Sequence, residues 1–446
     1  MLPRSAKRST AAREEPMSGP KPFEISKEMV WEAYRRVKAN RGAAGIDGET
    51  IEEYEQNLKG NLHKLWNRMS SGSYFPPPVR MVEIPKPGGR GVRVLGVPTV
   101  ADRVAQTVVK LYLEPKVEPY FHDDSYGYRP GRSALDAVGC CRWRSKKAAW
   151  VIDLDIKAFF DTIPHALVMR ALRKHTDSKW ILLYVQRWLE APMQREDGSL
   201  VARDRGSPQG SAISPLLANL FMHYAFDAWM QRESPRVWFE RYCDDVVVHA
   251  ATIKQAEYLK DSIARRLKQC GLEVNEGKTR IVYCRDGQRK GAHAHERFTF
   301  LGFEFGARGA LNTEGRIVDK FLPAISPQAA KEIRQTVRSW RLHRRSRHTL
   351  SDLAQDINAV VRGWVNYYGA FYRSRLAKVL NAINVYLVRW AMQKFKRYRT
   401  SKLRAWRFLA AAARREPDLF AHWAAGVKPT GMGSGSRVSR EAYARF

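Results

Sequence analysis

Behind Ser26, apolar positions at Met29, Val30, Tyr34 and Val37 recur every three or four residues, and that spacing predicts a helix with Ser26 as its cap. The glycine-bounded stretch 42–48 punctuates the chain. A second helix is then predicted from Ile51, Tyr54, Leu58, Leu62 and Leu65, ended by Pro76, Pro77 and Pro78. Residues 79–84 and 92–97, joined by Pro-Lys-Pro-Gly-Gly-Arg-Gly, read as a hairpin. The apolar run 150–156 predicts a strand, with helical patterning after it through Leu172 and again up to Leu189. Residues 215–231 form another predicted helix, and 237–242 and 246–250 read as strands flanking a tight connection. Leu259, Ile263, Leu267 and Cys270 mark an amphipathic helix, followed by strand-like runs at 272–274, 280–284 and 297–305. Strands and helices in this order, around a hairpin, indicate an α+β domain with an antiparallel sheet.

Composition changes the picture near residue 326. Between 329 and 415 there are 21 Lys or Arg against only Glu332, Asp352 and Asp356, with Trp340, Trp364, Tyr367, Tyr368, Tyr386, Trp390 and Trp406 interleaved. A separate basic helical domain is expected over 326–415. Over the whole chain, 77 Lys plus Arg against 45 Asp plus Glu give a formal net charge of +32, which favours a polyanionic partner. The blander readings are a solvated cationic face or attraction to anionic membranes. An aromatic content of 11% also supplies stacking surfaces for bases, which tips the balance towards nucleic acid.

The five cysteines (140, 141, 243, 270 and 284) include no C-x-x-C pair, so neither a disulfide framework nor a zinc site is expected. The N-terminus lacks an apolar signal segment, and no run of about 18 apolar residues occurs, so a cytoplasmic protein is expected. Residues 1–25 read as a flexible tail. Residues 416–446 read as a short extension, partly flexible around the Gly/Ser-rich stretch 430–436.

The sharpest chemical feature is Tyr242-Cys243-Asp244-Asp245 between two β-branched strands. Adjacent carboxylates at a hairpin tip repel each other unless a divalent cation compensates them, and hard oxygen ligands suit Mg²⁺. An exposed Asp-Asp turn is the competing reading. About 90 residues earlier, Asp153, Asp155 and Asp161 sit at and just beyond the end of another apolar strand. Carboxylates on neighbouring strand ends could hold two metals roughly 3.5–4 Å apart. Helix capping is the plain alternative for Asp155, and the preferred one for Asp161.

The two acidic motifs resemble those of reverse transcriptases, specifically the reverse transcriptase–maturases encoded by bacterial group II introns. The resemblance includes Gly45-Ile46-Asp47-Gly48, Ile84-Pro85-Lys86 and Arg93-Val94-Leu95-Gly96-Val97-Pro98. Further along come Ser125-Tyr126-Gly127-Tyr128-Arg129-Pro130-Gly131-Arg132, Gly206-Ser207-Pro208-Gln209-Gly210 and Ser214-Pro215-Leu216-Leu217-Ala218-Asn219. Gly271-Leu272, Lys278-Thr279, Phe300-Leu301-Gly302-Phe303 and Arg362-Gly363-Trp364-Val365-Asn366-Tyr367-Tyr368-Gly369 complete the series in order.

The resemblance implies a right-hand polymerase. An N-terminal extension (26–80) would precede fingers and palm with an antiparallel sheet (81–310), and an all-α thumb/maturase domain (326–415) would follow. It implies RNA-directed DNA polymerase activity with two Mg²⁺ ions, held by Asp155, Asp244 and Asp245 with the Ile156 carbonyl. Lys86, Arg93, Phe160 and Gln209 would bind dNTP, the Phe160 ring excluding a 2′-hydroxyl. Gly210 and the turn Phe300, Leu301 and Gly302 would contact template and primer. Lys278 would act as a proton donor or form a structural ion pair. His165, His223 and His249 are expected to be structural.

Phosphate contacts in the basic domain are expected from Arg341, Arg344, Arg345, Lys394, Lys396 and Arg397. The implied partners are intron RNA, an RNA template, a DNA primer or target and dNTPs, with no membrane. Splicing assistance and retrohoming by target-primed reverse transcription would follow. An intron-independent reverse transcriptase of the same descent, serving DNA repair or phage defence, is the alternative. The sequence departs from the family at Cys243, where Ala is usual, and at Ser211, where a second Gly is frequent. No His-Asn-His endonuclease segment is expected.

Overall fold

The computed structural model describes residues 21–85, 91–289 and 291–430. The expected tail up to residue 20, the candidate Lys86 and residues 431–446 lie outside them. The described strands are β1 (Val79–Pro85), β2 (Val92–Val97), β3 (Trp150–Leu154), β4 (Met193–Gln194), β5 (Leu200–Val201), β6 (Phe239–Tyr242), β7 (Asp245–Ala250), β8 (Arg280–Tyr283), β9 (Phe298–Phe300), β10 (Phe303–Leu311) and β11 (Ile317–Ile325). The chain divides into two compact units, Met1–Val117 with Met169–Ser214, and Glu118–Val168 with Pro215–Phe446. They are interleaved in sequence.

In the first unit the sheet order is β2-β1-β4-β5, with β1 and β2 antiparallel as expected of the hairpin. The helix Lys27–Ala39 is capped by Ser26 and buries Val30, Ala33, Tyr34 and Val37. The second predicted helix is broken at Asn57, whose φ of −128° and ψ of 45° separate Ile51–Gln56 from Leu58–Ser70. The first piece starts on a Thr50–Glu53 capping box. The tail expected through residue 25 does not reach that far, since residues 23 and 25 are held by the fold. The Phe23 N–H donates to the Ser70 carbonyl, Trp66 Nε1 donates to the Ile25 carbonyl, and Ile25 is buried.

The helix Val100–Val117 was not visible as a period. It buries Val104, Ala105, Val108 and Val109, but Asp102, Arg103, Gln106 and Thr107 as well, so no polar stripe marks a solvent face.

In the second unit the central sheet runs β6-β7-β3-β8, all antiparallel, confirming the expected α+β sheet. The amphipathic helix is Ile253–Gln269, burying Ala256, Leu259, Ile263 and Leu267. The predicted helix over 215–231 runs as Ser214–Met222, then a π turn His223–Asp227, then Ala228–Glu233. Two strand expectations change. The run 272–274 forms only an isolated bridge, Ile156 with Val274, and 297–305 folds back at Leu301–Gly302 into β9 and β10.

Helices Pro327–Ser339, Leu350–Tyr368, Arg373–Lys394 and Lys402–Arg415 carry the basic segment. Their apolar faces share one core reaching from Ile325 to Trp423, with Leu353, Ile357, Ile383, Leu387, Trp390 and Trp406 inside it. The domain boundary expected at residue 415 therefore moves outward, since Phe420, Ala421 and Trp423 belong to that core. All five cysteines are free, and no described helix is long and apolar enough to cross a membrane.

Candidate active site

Sheet register brings the two acidic motifs together. β3 pairs with β7 from Trp150–Ala250 to Leu154–Val246, so Asp155 follows the last residue of β3 where Asp245 opens β7, with Asp244 in the turn just before it. On the other edge of β3, the Asp155 carbonyl accepts the Asn275 N–H and the Lys157 N–H donates to the Glu273 carbonyl, both at 2.8 Å. In an antiparallel ladder this leaves the carbonyl of Ile156 facing the opposite edge, the side on which β7 lies.

β6 and β7 pair through Tyr242 and Asp245, leaving Cys243 and Asp244 as a two-residue turn. Cys243 takes a φ of +60°, a left-handed conformation that costs a non-glycine residue of the order of 1–2 kcal/mol. Such strain persists only where the surroundings enforce it, and here they do. Arg241, with no exposed surface, spends its five guanidinium hydrogens on Asp227 Oδ1 (2.7 Å) and Oδ2 (2.6 Å), Asn219 Oδ1 (3.0 Å), Ser125 Oγ (2.7 Å) and the Cys243 carbonyl (3.0 Å).

The backbone of Ser125–Gly127 lies along the same strand. The Tyr126 N–H donates to the Arg241 carbonyl at 2.8 Å, and a Cβ on Gly127 would come within 2.6 Å of the Cys243 nitrogen. Asn219 Nδ2 donates to the Gly127 carbonyl at 2.5 Å. Two sequence blocks that carry no acidic residue of the site, Ser125–Gly127 and the one ending at Asn219, thus converge on the turn that bears Asp244.

The electrostatics are those of crowded carboxylates. Asp244 is half-buried and Asp245 exposed. Burial, together with Asp245 and Asp155 nearby, pushes Asp153 up to about 7 against the opposing pull of Arg280. Burial, and then Asp244 beside it, raises the Cys243 pKa strongly and keeps the thiol neutral. Lys278 Nζ donates to both Asp155 oxygens, at 3.3 and 3.4 Å. Carboxylates and a backbone carbonyl at adjacent strand ends are the hard oxygen donor types that suit a divalent cation such as Mg²⁺.

Asp161 lies within the short helix Phe159–Thr162, whose N-cap is Ala158, so the capping role expected of it does not occur. Of the adjacent phenylalanines, Phe159 is buried at 2% exposure and packs against Phe221, while Phe160 is half-exposed.

A second cluster, Cys141, Glu240 and His249, is buried and close enough to suggest a metal, and no spacing in the sequence marks it. Its chemistry argues otherwise. Glu240 Oε1 accepts from Arg144 at 2.8 Å and Oε2 lies 2.7 Å from His249 Nε2, so both oxygens are used, and burial holds the Cys141 thiol well up. His249 is structural, as expected.

Phe300 and Phe303 pair across Leu301 (φ +50°) and Gly302 (φ +78°), the double left-handed turn of a tight hairpin. Tyr367 Oη donates to the Leu301 carbonyl at 2.8 Å, and the Ser326 N–H donates to that of Gly302 at 3.0 Å. A Cβ on Gly302 would stand 3.0 Å from Tyr368 Oη. The tyrosines of the Arg362–Gly369 block therefore dock on the Phe300–Gly302 turn, a link that no spacing in the sequence announces.

In the first unit, Arg93 is exposed on β2 opposite Ile84. The Gln209 carbonyl accepts the Gly96 N–H at 2.8 Å, and Gly210 (φ +115°) passes so close that a Cβ there would lie 2.7 Å from the Gly96 carbonyl oxygen.

Of the basic candidates, Arg341, Arg344, Lys396 and Arg397 are exposed. Arg345 is paired with Asp356 at 2.7 Å, and Lys394 Nζ donates to the Ser346 and His348 carbonyls at 2.9 and 2.8 Å, so these two also serve the fold.

The reverse transcriptase (RNA-dependent DNA polymerase) family matches residues 84–305, and the group II intron maturase-specific domain matches 330–408. Protein YkfC of Escherichia coli K12 is 30% identical over 65% of this chain and 84% of its own length. The group II intron-encoded protein LtrA of Lactococcus lactis subsp. cremoris is 25% identical over 82% of this chain and 72% of its own length. A solved telomerase from Candida albicans, in complex with a fragment of telomeric RNA, superposes on 85% of this chain and 68% of its own, with a TM-score of 0.44 and 12% identity.

Proposed function

Since this chain belongs to the group II intron reverse transcriptase/maturase family, we propose that it copies RNA into DNA with two Mg²⁺ ions and also binds its parent intron RNA to assist splicing and retrohoming. The observation that carries the polymerase reading is the ladder β3–β7, which ends at Leu154 opposite Val246 and so brings Asp155 to the end of the sheet where Asp245 and the turn strained at Cys243 lie.

Asp155, Asp244 and Asp245, with the Ile156 carbonyl, would hold the ions. Bound there, the ions would lower the barrier to attack of a primer 3′-hydroxyl and offset charge on the leaving pyrophosphate. The protein's own contribution is position and field. Arg241 fixes the turn, so the carboxylates need no reorganisation during the reaction. Phe160, half-exposed where Phe159 is core, would close the sugar pocket against a 2′-hydroxyl. Arg93 would contact the triphosphate through its planar fork and Gln209 the nascent pair. The Phe300–Gly302 turn would seat the primer strand.

RNA binding would rest on the exposed Arg341, Arg344, Lys396 and Arg397, assisted by Arg345 and Lys394. The splicing chemistry itself would belong to the RNA, with the protein acting in the bacterial cytoplasm.

The test is primer extension on an RNA template with Mg²⁺ by the purified chain, beside intron splicing at physiological salt. Wild type is expected to incorporate dNTPs. Asp244→Ala is expected to abolish extension and leave splicing assistance largely intact. A wild type that incorporates no dNTP would sink the polymerase reading, and loss of both activities in a folded Asp244→Ala would refute their separation.

A further inference from the structure

The segment carrying Gln209 and Gly210 is seated between two walls of the first unit. One is the hairpin, where Gly96 donates its N–H to the Gln209 carbonyl at 2.8 Å and leaves no room for a side chain beside Pro208. The other is the helix Val100–Val117. From it, Gln106 Oε1 accepts both the Ser211 hydroxyl at 2.6 Å and the Ala212 N–H at 2.8 Å. An amide oxygen can take both donors only if the amide is turned with its nitrogen away from the loop.

What turns it is Asp102, one helical turn earlier, whose Oδ2 accepts the Gln106 Nε2 at 2.9 Å. Asp102 cannot be reversed in its turn, because its Oδ1 already accepts Tyr74 Oη at 2.8 Å and Trp188 Nε1 at 2.7 Å. Asp102 has no exposed surface and Gln106 only 2%. A buried carboxylate is a costly way to fill space. Burial pushes Asp102 up to about 6, although hydrogen bonds from Tyr74, Trp188 and Gln106 pull it down. The arrangement is directional: a surplus of acceptors at Asp102 fixes which end of Gln106 meets the loop.

We propose that Gln106, its amide oriented by Asp102, is a positioning residue for nucleotide addition, clamping Ser211 and Ala212 so that Gln209 and Gly210 keep the single backbone path on which dNTP affinity depends. The proposal rests on the polymerase reading above. Gly210, at a φ of +115°, sits where the backbone is least restrained by its own side chain, so its path has to be held from outside. Ser211, where the resemblance expects a second glycine, adds a hydroxyl donor to the clamp that a glycine could not provide.

The test uses the full chain, with single-nucleotide addition titrated in dNTP and amide hydrogen exchange read over residues 207–213. Gln106→Leu removes the acceptor. It is expected to raise the KM for dNTP about fivefold or more while kcat moves less than about twofold, and to speed exchange at Ala212. Ser211→Ala removes one donor and nothing else, so it should show the same split at about two- to threefold even if the Leu variant does not fold.

Asp102→Asn alone must offer its NH₂ to Gln106, turning the amide nitrogen towards the loop and breaking the clamp. Adding Gln106→Glu to Asp102→Asn restores donor to acceptor at every contact with the same shape and charge, and should return KM to within about twofold of wild type. A role in packing alone would not produce that polarity-dependent rescue.

The clamp is overturned if folded Gln106→Leu and Ser211→Ala both keep a wild-type KM and wild-type exchange at Ala212. It is overturned equally if the double variant stays as impaired as Asp102→Asn. Should wild type add no nucleotide at all, the polymerase reading fails instead, and exchange at Ala212 in Gln106→Leu decides the clamp: faster exchange supports it and unchanged exchange overturns it.

Discussion

Arg241 donates an Nη1 hydrogen to the carbonyl of Cys243 at 3.0 Å, while its Nε and Nη2 grip both oxygens of Asp227. A residue two positions before the turn thus fixes the first residue of the turn through its side chain. Planar geometry makes this possible, since a lysine could not serve Asp227, Asn219, Ser125 and Cys243 together.

Arg241→Lys is therefore expected to lower kcat on the order of 100-fold, since a misplacement of about 1 Å costs that much. Arg241→Met, which strands the buried Asp227, should also destabilise the fold by about 3–5 kcal/mol. Chemical denaturation beside single-turnover addition checks both. Near-normal turnover in Arg241→Lys would remove the guanidinium from the account of the turn.

Neighbouring phenylalanines should answer oppositely. Phe159→Ala empties a buried position and is expected to cost about 3–5 kcal/mol of stability. Phe160→Ala should fold normally and admit rNTPs, with the ratio of rNTP to dNTP efficiency rising on the order of tenfold or more. A Phe160→Ala enzyme that still rejects rNTPs would mean that the sugar is discriminated elsewhere.

Tyr367→Phe deletes only the hydroxyl that meets the Leu301 carbonyl. The expected stability loss is about 1 kcal/mol. Extension over many nucleotides should suffer more than addition of one, because the loosened turn would release the primer between steps. Equal loss in both assays would argue that the turn does not hold the primer.

His422 gives the pH dependence. The imidazole is completely buried, with Nε2 2.9 Å from Asn384 Oδ1, and burial pushes its pKa down to about 3. An unfolded histidine titrates near 6.5, so between about 6.5 and 3 the unfolded chain binds a proton that the folded chain refuses. Stability is complete above that window and is lost as pH falls through it, at up to about 1.4 kcal/mol per pH unit. Between pH 7.5 and 5.0 wild type should lose about 2 kcal/mol through this group, and His422→Gln should lose correspondingly less. The same pH slope in both proteins would exclude His422 as the cause.

How far the sequence could be read depended on which forces announce themselves locally. Val30, Tyr34 and Val37, or Leu259, Ile263 and Leu267, face one core and keep a helical period, so their helices were predictable. The helix Val100–Val117 was not, because its polar residues are buried by partners far away in sequence, such as Tyr74 and Trp188 on Asp102. The 297–305 run read as one strand because the left-handed turn at Leu301 uses a residue that seldom takes it. Asp155, Asp244 and Asp245 were legible as carboxylates on strand ends. Arg241, Ser125 and Asn219 around them were not, since a hub of hydrogen bonds between segments 22 and 116 residues apart leaves no periodic trace.

The core that reaches past the matched maturase segment bears on how the protein can be cut. Phe420 and Trp423 have no exposed surface, Trp423 Nε1 donates to Asn384 Oδ1 at 2.8 Å, and Asn384 Nδ2 donates to the Val427 carbonyl at 3.0 Å. A shortened version ending at residue 408, where the family match stops, would uncover Asn384 and leave the long helix Arg373–Lys394 without its cover. The usable C-terminal end of this domain for expression, tagging or fusion lies after Val427, since a chain end placed before it would open the core around Asn384 and Trp423.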